Sequence, residues 1–379
     1  MSLFFSTSAW LRSAEAMFSN PFAGPLFVAT LWRLALAFFL LFIWALWRRW
    51  RSAGKDSDSA PLAKMIATAW AAPVLLIALF TGVLALLAAI ALIMLQGLCE
   101  YVRLVSLDRA YGVVLIAFSL TGVALVAICP RFTTLLSLPM GVFLLATLVP
   151  ITSGRVADSY RQVSITTTGY LYISAPLSFI IFTRAAEPWG LRFLIIVGAA
   201  TALADAGGLM FGSWLKGPKL APKVSPCKTW SGVLGSLAAS IIGVCLFWPI
   251  APKSWSLGTL MLLVLAVTIG AVWGDLIESS IKRDSGVKDT GTILSGSGGV
   301  LDRFDSVFLA FPVAYISVLL VHSLQRVCDS LTMVFRTDAQ WRNFQENGQE
   351  LLPQGSLRAR LPGMIRGVFG DQRAASGLY

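Results

Sequence analysis

The sequence predicts an all-α polytopic integral membrane protein of about ten transmembrane helices, with its site in cytoplasmic loops and helix ends. Three observations carry that expectation. Of 379 residues, 56% are hydrophobic and only 13% are charged, whereas a soluble domain is nearer a quarter charged. Apolar windows of about twenty residues, enough to cross roughly 30 Å of hydrocarbon, recur along the chain. Basic residues gather in alternate loops between those windows, as they do in multi-pass proteins.

Residues 1–25 mix Phe, Trp and Leu with Arg12 and Glu15 and lack the basic head and small-residue cleavage site of a signal peptide. An interfacial or poorly ordered lead-in is expected there. Apolar windows follow near 26–47, 65–80, 82–98, 111–129, 133–151, 166–183, 191–211, 231–250, 257–277 and 306–324. Only a short turn around Thr81 and Gly82 separates the second window from the third. The windows fall into an N-terminal set, 26–190, and a later set, 191–324, whose loops carry the unusual residues. Residues 325–379 are polar and broken by Pro353 and Pro362, and the segment Leu357–Phe369 is basic and partly amphipathic. A surface-lying or disordered tail is the expectation for them. The sequence contains no internal repeat and no second soluble domain.

Alternating the loops tests this arrangement. One set holds Arg48, Arg49, Arg51, Lys55, Lys64, Arg103, Arg109, Arg155, Arg161, Lys216, Lys219, Lys223, Lys228, Lys282, Arg283, Lys288 and Arg303; the other holds Arg131, Arg184, Arg192 and Lys253. Seventeen cations against four place the first set in the cytoplasm and the termini outside. The net charge of +11 follows from those loops and from anionic headgroups, so a membrane partner is expected and a nucleic-acid partner is not. The location expected is a bacterial-type inner or plasma membrane.

Little of the usual chemistry is on offer. The five cysteines are scattered without a CxxC, and the single histidine, His322, lies among Leu320, Val321 and Leu324. Neither a disulfide framework nor a zinc site is expected, and any reaction must proceed without imidazole.

The densest charge lies between Asp275 and Ser306, where six carboxylates and four cations follow the end of an apolar window. On a continuing helix, Asp275, Glu278, Ser279 and Lys282 share one face. Taken alone, these four read most simply as salt bridges at a solvated helix end. The continuation adds Lys288 and Asp289, then the Gly- and Ser-rich stretch TGTILSGSGG, then Asp302, Arg303 and Asp305. Glycines let backbone N–H groups approach phosphate oxygens. Interleaved carboxylates repel phosphate unless a divalent cation lies between them, and Lys and Arg neutralise the remaining charge. The order acid, base, glycine, acid therefore suits a metal–nucleotide site. The earlier loop, KGPKLAPKVSPCKTWSG, has four lysines and three prolines between Lys216 and Gly232. Prolines lower the entropy lost when a loop grips a ligand. Ser225, Lys228 and Thr229 could contact phosphates; a basic loop meeting lipid headgroups is the alternative. Asp205 interrupts the window 191–211, either as a functional intramembrane carboxylate or as a polar pairing inside the bundle.

From Ser279 to Asp305 the pattern S-x-I-K-R-x4-K-D-x-G-x-I…G-x-G-G-x-L-D-R-x-D resembles the signature of the phosphatidate cytidylyltransferases (CDP-diacylglycerol synthases). The loop KLAPKVSPCKTWSG resembles that family's other characteristic block, and Asp205 falls where the family keeps an acidic residue. The resemblance runs from about Asp205 to Ser306; before that only hydrophobic helices are shared. The chain reads Ser295, Gly296, Ser297, Gly298 and Gly299 where the family has Pro-Gly-His-Gly-Gly, and so departs from the pattern at Ser295 and Ser297. It departs again at Ser213, where the family has Lys, and at Gly207 and Gly208, where a Tyr is missing.

The resemblance implies CTP and phosphatidate, or a related lipid phosphate, as substrates and CDP-diacylglycerol and pyrophosphate as products. It implies Mg²⁺ as cofactor, with room for a second monovalent or divalent cation, and is compatible with a homodimer. By resemblance Asp275 and Asp302 hold the metal, with Asp289 and Asp305 supporting; Lys282, Lys288 and Arg303 neutralise phosphate; Ser225, Lys228 and Thr229 help bind CTP. The competing readings are a transporter or flippase of an anionic lipid or nucleotide-linked substrate, and a divergent relative that binds CTP or lipid without turnover. A transporter needs polar groups through the middle of the bundle, whereas here they gather at the cytoplasmic ends of the later helices.

Overall fold

A computed structural model describes residues 25–51, 75–154, 156–287 and 299–346. The expected lead-in, most of the 65–80 window, Lys288, Asp289, Ser295, Ser297 and the segment Leu357–Phe369 lie outside the described residues. Chain contacts separate residues 1–320 from 321–379. The site lies in the first unit; of the second, residues 321–346 are described, as helix.

Helix α1, Pro25–Arg51, contains the first window. Residues 75–81 are helical and stop at Gly82, whose φ of 134° is open only to glycine. The turn expected there thus separates them from α2, Val83–Leu104. Then come α3, Arg109–Ile128, and α4, Phe132–Ser153, which ends on Gly154 in the left-handed conformation. Helix α5, Ser159–Ala186, is continuous through a π turn at Tyr170–Ser174. Helix α6 is Gly190–Leu215. A hairpin of β1, Lys219–Ala221, and β2, Ser225–Thr229, leads into α7, Trp230–Phe247. Helices α8, Leu257–Asp284, and α9, Leu301–Glu346, complete the described chain.

Eight of these helices, α2 to α9, are long and apolar enough to cross a membrane. The described apolar stretch of α1, Leu26–Ala37, is shorter. Large apolar side chains such as Leu92, Leu136, Met140, Leu234 and Met261 point outward, as expected where lipid rather than water surrounds the bundle. Polar side chains inside pair across helices: Ser174 Oγ donates to Ser119 Oγ at 2.7 Å and Thr268 Oγ1 to Ser240 Oγ at 3.1 Å.

Helix α9 departs from expectation by running to Glu346, well past the window that ends at 324. From Val313 to Glu346 the sequence contains neither Gly nor Pro, so nothing local stops the helix where hydrophobicity fades.

Two groups of contacts mark opposite ends of the bundle. At one, the Asp108 N–H donates to Gln162 Oε1, and Glu100 accepts from the backbone of Val300 and Leu301. At the other, Arg184 Nε donates to the Leu79 carbonyl and the Tyr315 hydroxyl donates to Glu187. Trp189, Phe193, Trp255 and Tyr315 pack ring against ring at that second end. Loops assigned to one side by their charge therefore meet one another.

Candidate functional site

The site begins with a change of character in α8. Its first four turns are apolar, and the sequence then becomes DLIESSIKRD without interrupting the helix. Asp275, Glu278 and Lys282 consequently line one face on successive turns. Ser279 Oγ donates to Asp275 Oδ1 at 3.3 Å.

Glycine brings α9 against that face. A Cβ at Gly270 would lie 2.6 Å from Ala310 Cα, and one at Gly274 would collide with the Asp305 carbonyl. Small residues one turn apart allow this close crossing. Tyr172, on the π turn of α5, fixes the crossing from the third side: its hydroxyl donates to the Gly274 carbonyl at 2.9 Å, and its ring meets Phe308 edge-on. Asp305 is thereby carried to Asp275 and Glu278, and one ligand oxygen from each of the three lies within 4.8 Å of the others.

Lysines tie this group to its surroundings. Lys282 Nζ lies 2.7 Å from Glu278 Oε2 and 2.8 Å from Asp302 Oδ1. The other Asp302 oxygen accepts the Gly299 N–H at 2.8 Å. Lys228 Nζ lies 2.8 Å from Asp275 Oδ2 and also donates to the Val272 carbonyl. Even with the adjacent Arg303 counted, four carboxylates outnumber three cations. Glu278 is 1% exposed, and its Oε1 has no hydrogen-bond partner among the described residues. A buried carboxylate oxygen left in that state is costly, and a cation at the three-carboxylate group would relieve it. An all-oxygen donor set is the kind that hard cations such as Mg²⁺ take. The residues present fit the metal implied by the resemblance, and Asp275, Glu278 and Asp305 are the ones that would hold it.

The basic loop is a two-stranded antiparallel hairpin, with Lys219 opposite Thr229 and Ala221 opposite Ser225. Arg283 Nε donates to the Val224 carbonyl at 3.4 Å, so α8 holds the hairpin at two points, there and through Lys228. Thr229 caps α7, its Oγ1 accepting the Gly232 N–H at 3.1 Å. Ser225 is half-buried at the start of β2. Behind the hairpin, α6 and α7 meet through glycine. A Cβ at Gly207 would lie 2.5 Å from the Gly235 carbonyl oxygen, and one at Gly208 would lie 2.5 Å from Ser236 Oγ. The glycines that depart from the family pattern are thus where two helices touch.

The structure brings together Asp275, Asp302, Asp305, Lys228 and Lys282, with Arg303 on the same first turn of α9. Asp302 engages Lys282 and Gly299 and lies against the Glu278 carboxyl, beside the three-oxygen group of Asp275, Glu278 and Asp305. Asp205 sits on an exposed position of α6, also outside that group. Lys288 and Asp289 lie outside the described residues. Two acidic residues were given no role from sequence. Glu278 was visible on the shared face, but its burial was not. Glu100 is the sole acidic residue between Asp58 and Asp108 and sits at the end of an apolar window, a signal that points to a functional carboxylate.

A model of the cytidylyltransferase family matches residues 62–321. The chain belongs to that family. It is 41% identical over 135 residues to the phosphatidate cytidylyltransferase of Brucella suis, covering 35% of this chain and 49% of the relative. To the phosphatidate cytidylyltransferase of Bacillus subtilis it is 32% identical over 157 residues, 41% of this chain and 58% of the relative. For the protein of that name from Staphylococcus epidermidis the identity is 35% over 134 residues, 35% of this chain and 51% of the relative. The chain thus spans about half the length of the curated relatives it matches.

Proposed function

We propose that this protein is a membrane-embedded, Mg²⁺-dependent phosphatidate cytidylyltransferase. A phosphate oxygen of phosphatidate, or of a related lipid phosphate, attacks the α-phosphorus of CTP; the bond from that phosphorus to the β-phosphate oxygen breaks and pyrophosphate leaves with its electrons. The product is CDP-diacylglycerol, and no oxidant or reductant is involved. The observation that carries this reading is the convergence of Asp275, Glu278 and Asp305, flanked by Lys228 and Lys282, at the ends of two membrane-length helices. Family membership and the names of the relatives support it.

The attacking lipid phosphate is already ionised, so a strong base is unnecessary, in keeping with a chain whose one histidine is elsewhere in sequence. Alignment and charge neutralisation are what remain to be supplied. A cation held by Asp275, Glu278 and Asp305 would supply neutralisation of the triphosphate oxygens. Lys228, on a hairpin between α6 and α7, is placed to turn from Asp275 to a phosphate when that carboxylate is otherwise engaged. Lys282 keeps Glu278 and Asp302 oriented, and Arg303 adds positive charge at the start of α9. Ser225, Thr229, Lys288 and Asp289 are assigned to CTP binding and phosphate or metal support on the family resemblance, and Asp205 likewise. Seventeen cations on the side of the site support a cytoplasmic orientation for it, the side on which CTP is present.

The test is purified protein in lipid nanodiscs given labelled CTP, Mg²⁺ and phosphatidate. CDP-lipid is the expected product. CTP binding with no product from any lipid phosphate would replace the catalytic reading with that of a nucleotide-binding relative.

A further inference from the structure

Helix α9 starts without a local cap. The residues before it are Gly298, Gly299 and Val300, none of which has a side-chain acceptor for the first free N–H groups of a helix. The acceptor comes from two hundred residues earlier. Glu100, near the end of α2 and 2% exposed, takes the Val300 N–H on Oε1 at 3.0 Å and the Leu301 N–H on Oε2 at 2.9 Å. Gln96 Nε2, one turn back on α2, donates to Glu100 Oε1 at 3.3 Å and orients it. Leu301 is fully buried beside Gly97, where an added Cβ would sit 3.9 Å from its Cδ1.

The next residue is Asp302, and Asp305 follows one turn later. With Asp302 Oδ2 on the Gly299 N–H, three successive N–H groups are held by carboxylates. A buried carboxylate at a helix N-terminus is favoured both by the helix dipole and by charge-assisted hydrogen bonding. Helix α9 cannot slide or rotate along its axis without breaking these bonds together. We propose that Glu100 is a positioning residue: by gripping the first turn of α9 from the N-terminal half of the bundle, it sets where Asp305 meets Asp275 and Glu278. Glu100 touches neither the three converging oxygens nor the basic hairpin. It acts through the backbone of residues 300 and 301.

This inference rests on the metal-dependent reading above, and its test separates the two. Wild-type protein, Glu100→Gln, Glu100→Asp and Glu187→Gln are purified full-length, and Mg²⁺ is titrated while thermal stability is followed without substrate. Glu187, whose carboxylate accepts from Tyr315 at the opposite end, is the control for a carboxylate that serves only the fold. Groups that orient ligating residues typically change metal affinity by about 10- to 100-fold. Glu100→Gln is expected to raise the Mg²⁺ midpoint by about that factor and Glu187→Gln to leave it unchanged. Glu100→Asp, which keeps the charge but shortens the reach, should fall between wild type and Glu100→Gln. An unchanged midpoint in folded Glu100→Gln overturns the proposal, as does a wild type that shows no Mg²⁺ response. Failure of both Glu100 variants to fold overturns it too, because the residue would then serve the fold. Wild-type protein that shows the Mg²⁺ pattern but makes no CDP-lipid would refute the proposed function and leave the role of Glu100 standing.

Discussion

Replacing Gly270 by Ala tests whether the α8–α9 crossing sets the site, because the change adds one methyl and touches no polar group. The new Cβ would stand 2.6 Å from Ala310 Cα and 2.9 Å from both Ala310 N and the Leu309 carbonyl oxygen. All three are backbone atoms, so none can swing aside. Ordinary contact begins at 3.4 Å, and the helices must therefore part by about 0.8 Å, an overpacking that costs about 1–3 kcal/mol. That separation draws Asp305 from Asp275 and Glu278, and a misplacement near 1 Å can lower turnover by about 100-fold. Gly258→Ala, on the same helix, is the control, since its Cβ would meet nothing closer than Ser256 Oγ at 3.6 Å. CDP-lipid formation and a thermal melt are measured on both. Wild-type turnover from folded Gly270→Ala would refute the claim that glycine contact at this crossing positions the carboxylates.

Asp275→Asn and Asp305→Asn should each lower turnover by about 100-fold or more while leaving the protein folded; near-normal activity in either removes that residue from the metal group. Lys282→Met leaves the buried carboxylate of Glu278 and the partly buried one of Asp302 without their shared cation. It should destabilise the protein by about 3–5 kcal/mol, read as a lowered unfolding midpoint. Cys227 is exposed beside Lys228 on the hairpin, so Mg²⁺ and CTP should slow its alkylation. The exposed Cys245, on α7, should react at the same rate with and without them. Equal protection of both thiols, or of neither, would take the hairpin out of the CTP site.

Among the described residues, the helical windows and most of their boundaries were legible because crossing a bilayer demands a length and a composition that few other structures need. Gly82 was legible as well, since glycine between two apolar runs has few other reasons to be there. The extension of α9 to Glu346 was not, because hydropathy fades at Leu324 while helix propensity does not. Within the site, Asp275, Glu278 and Lys282 could be put on one face by counting. Three-dimensional contacts were required to show that Asp305 completes a three-oxygen group with Asp275 and Glu278, while Asp302 stands beside Glu278 on the shared Lys282. That arrangement depends on how α9 is rotated against Gly270 and Gly274, and sequence spacing carries no such information. Glu100 stood out as a lone carboxylate at the end of an apolar window, but its role was hidden for a related reason: its partners are backbone N–H groups, which have no sequence signature, two hundred positions away.

Following each phosphate of CTP tests the central claim most directly. With CTP labelled at the α-phosphate, label should move into the lipid in the presence of Mg²⁺ and phosphatidate. With CTP labelled at the γ-phosphate, it should leave in pyrophosphate and never enter the lipid. Transfer of γ label to lipid, or its release as orthophosphate with no α label in lipid, would contradict the account: the carboxylates at Asp275, Glu278 and Asp305 would then serve a different cleavage of the nucleotide.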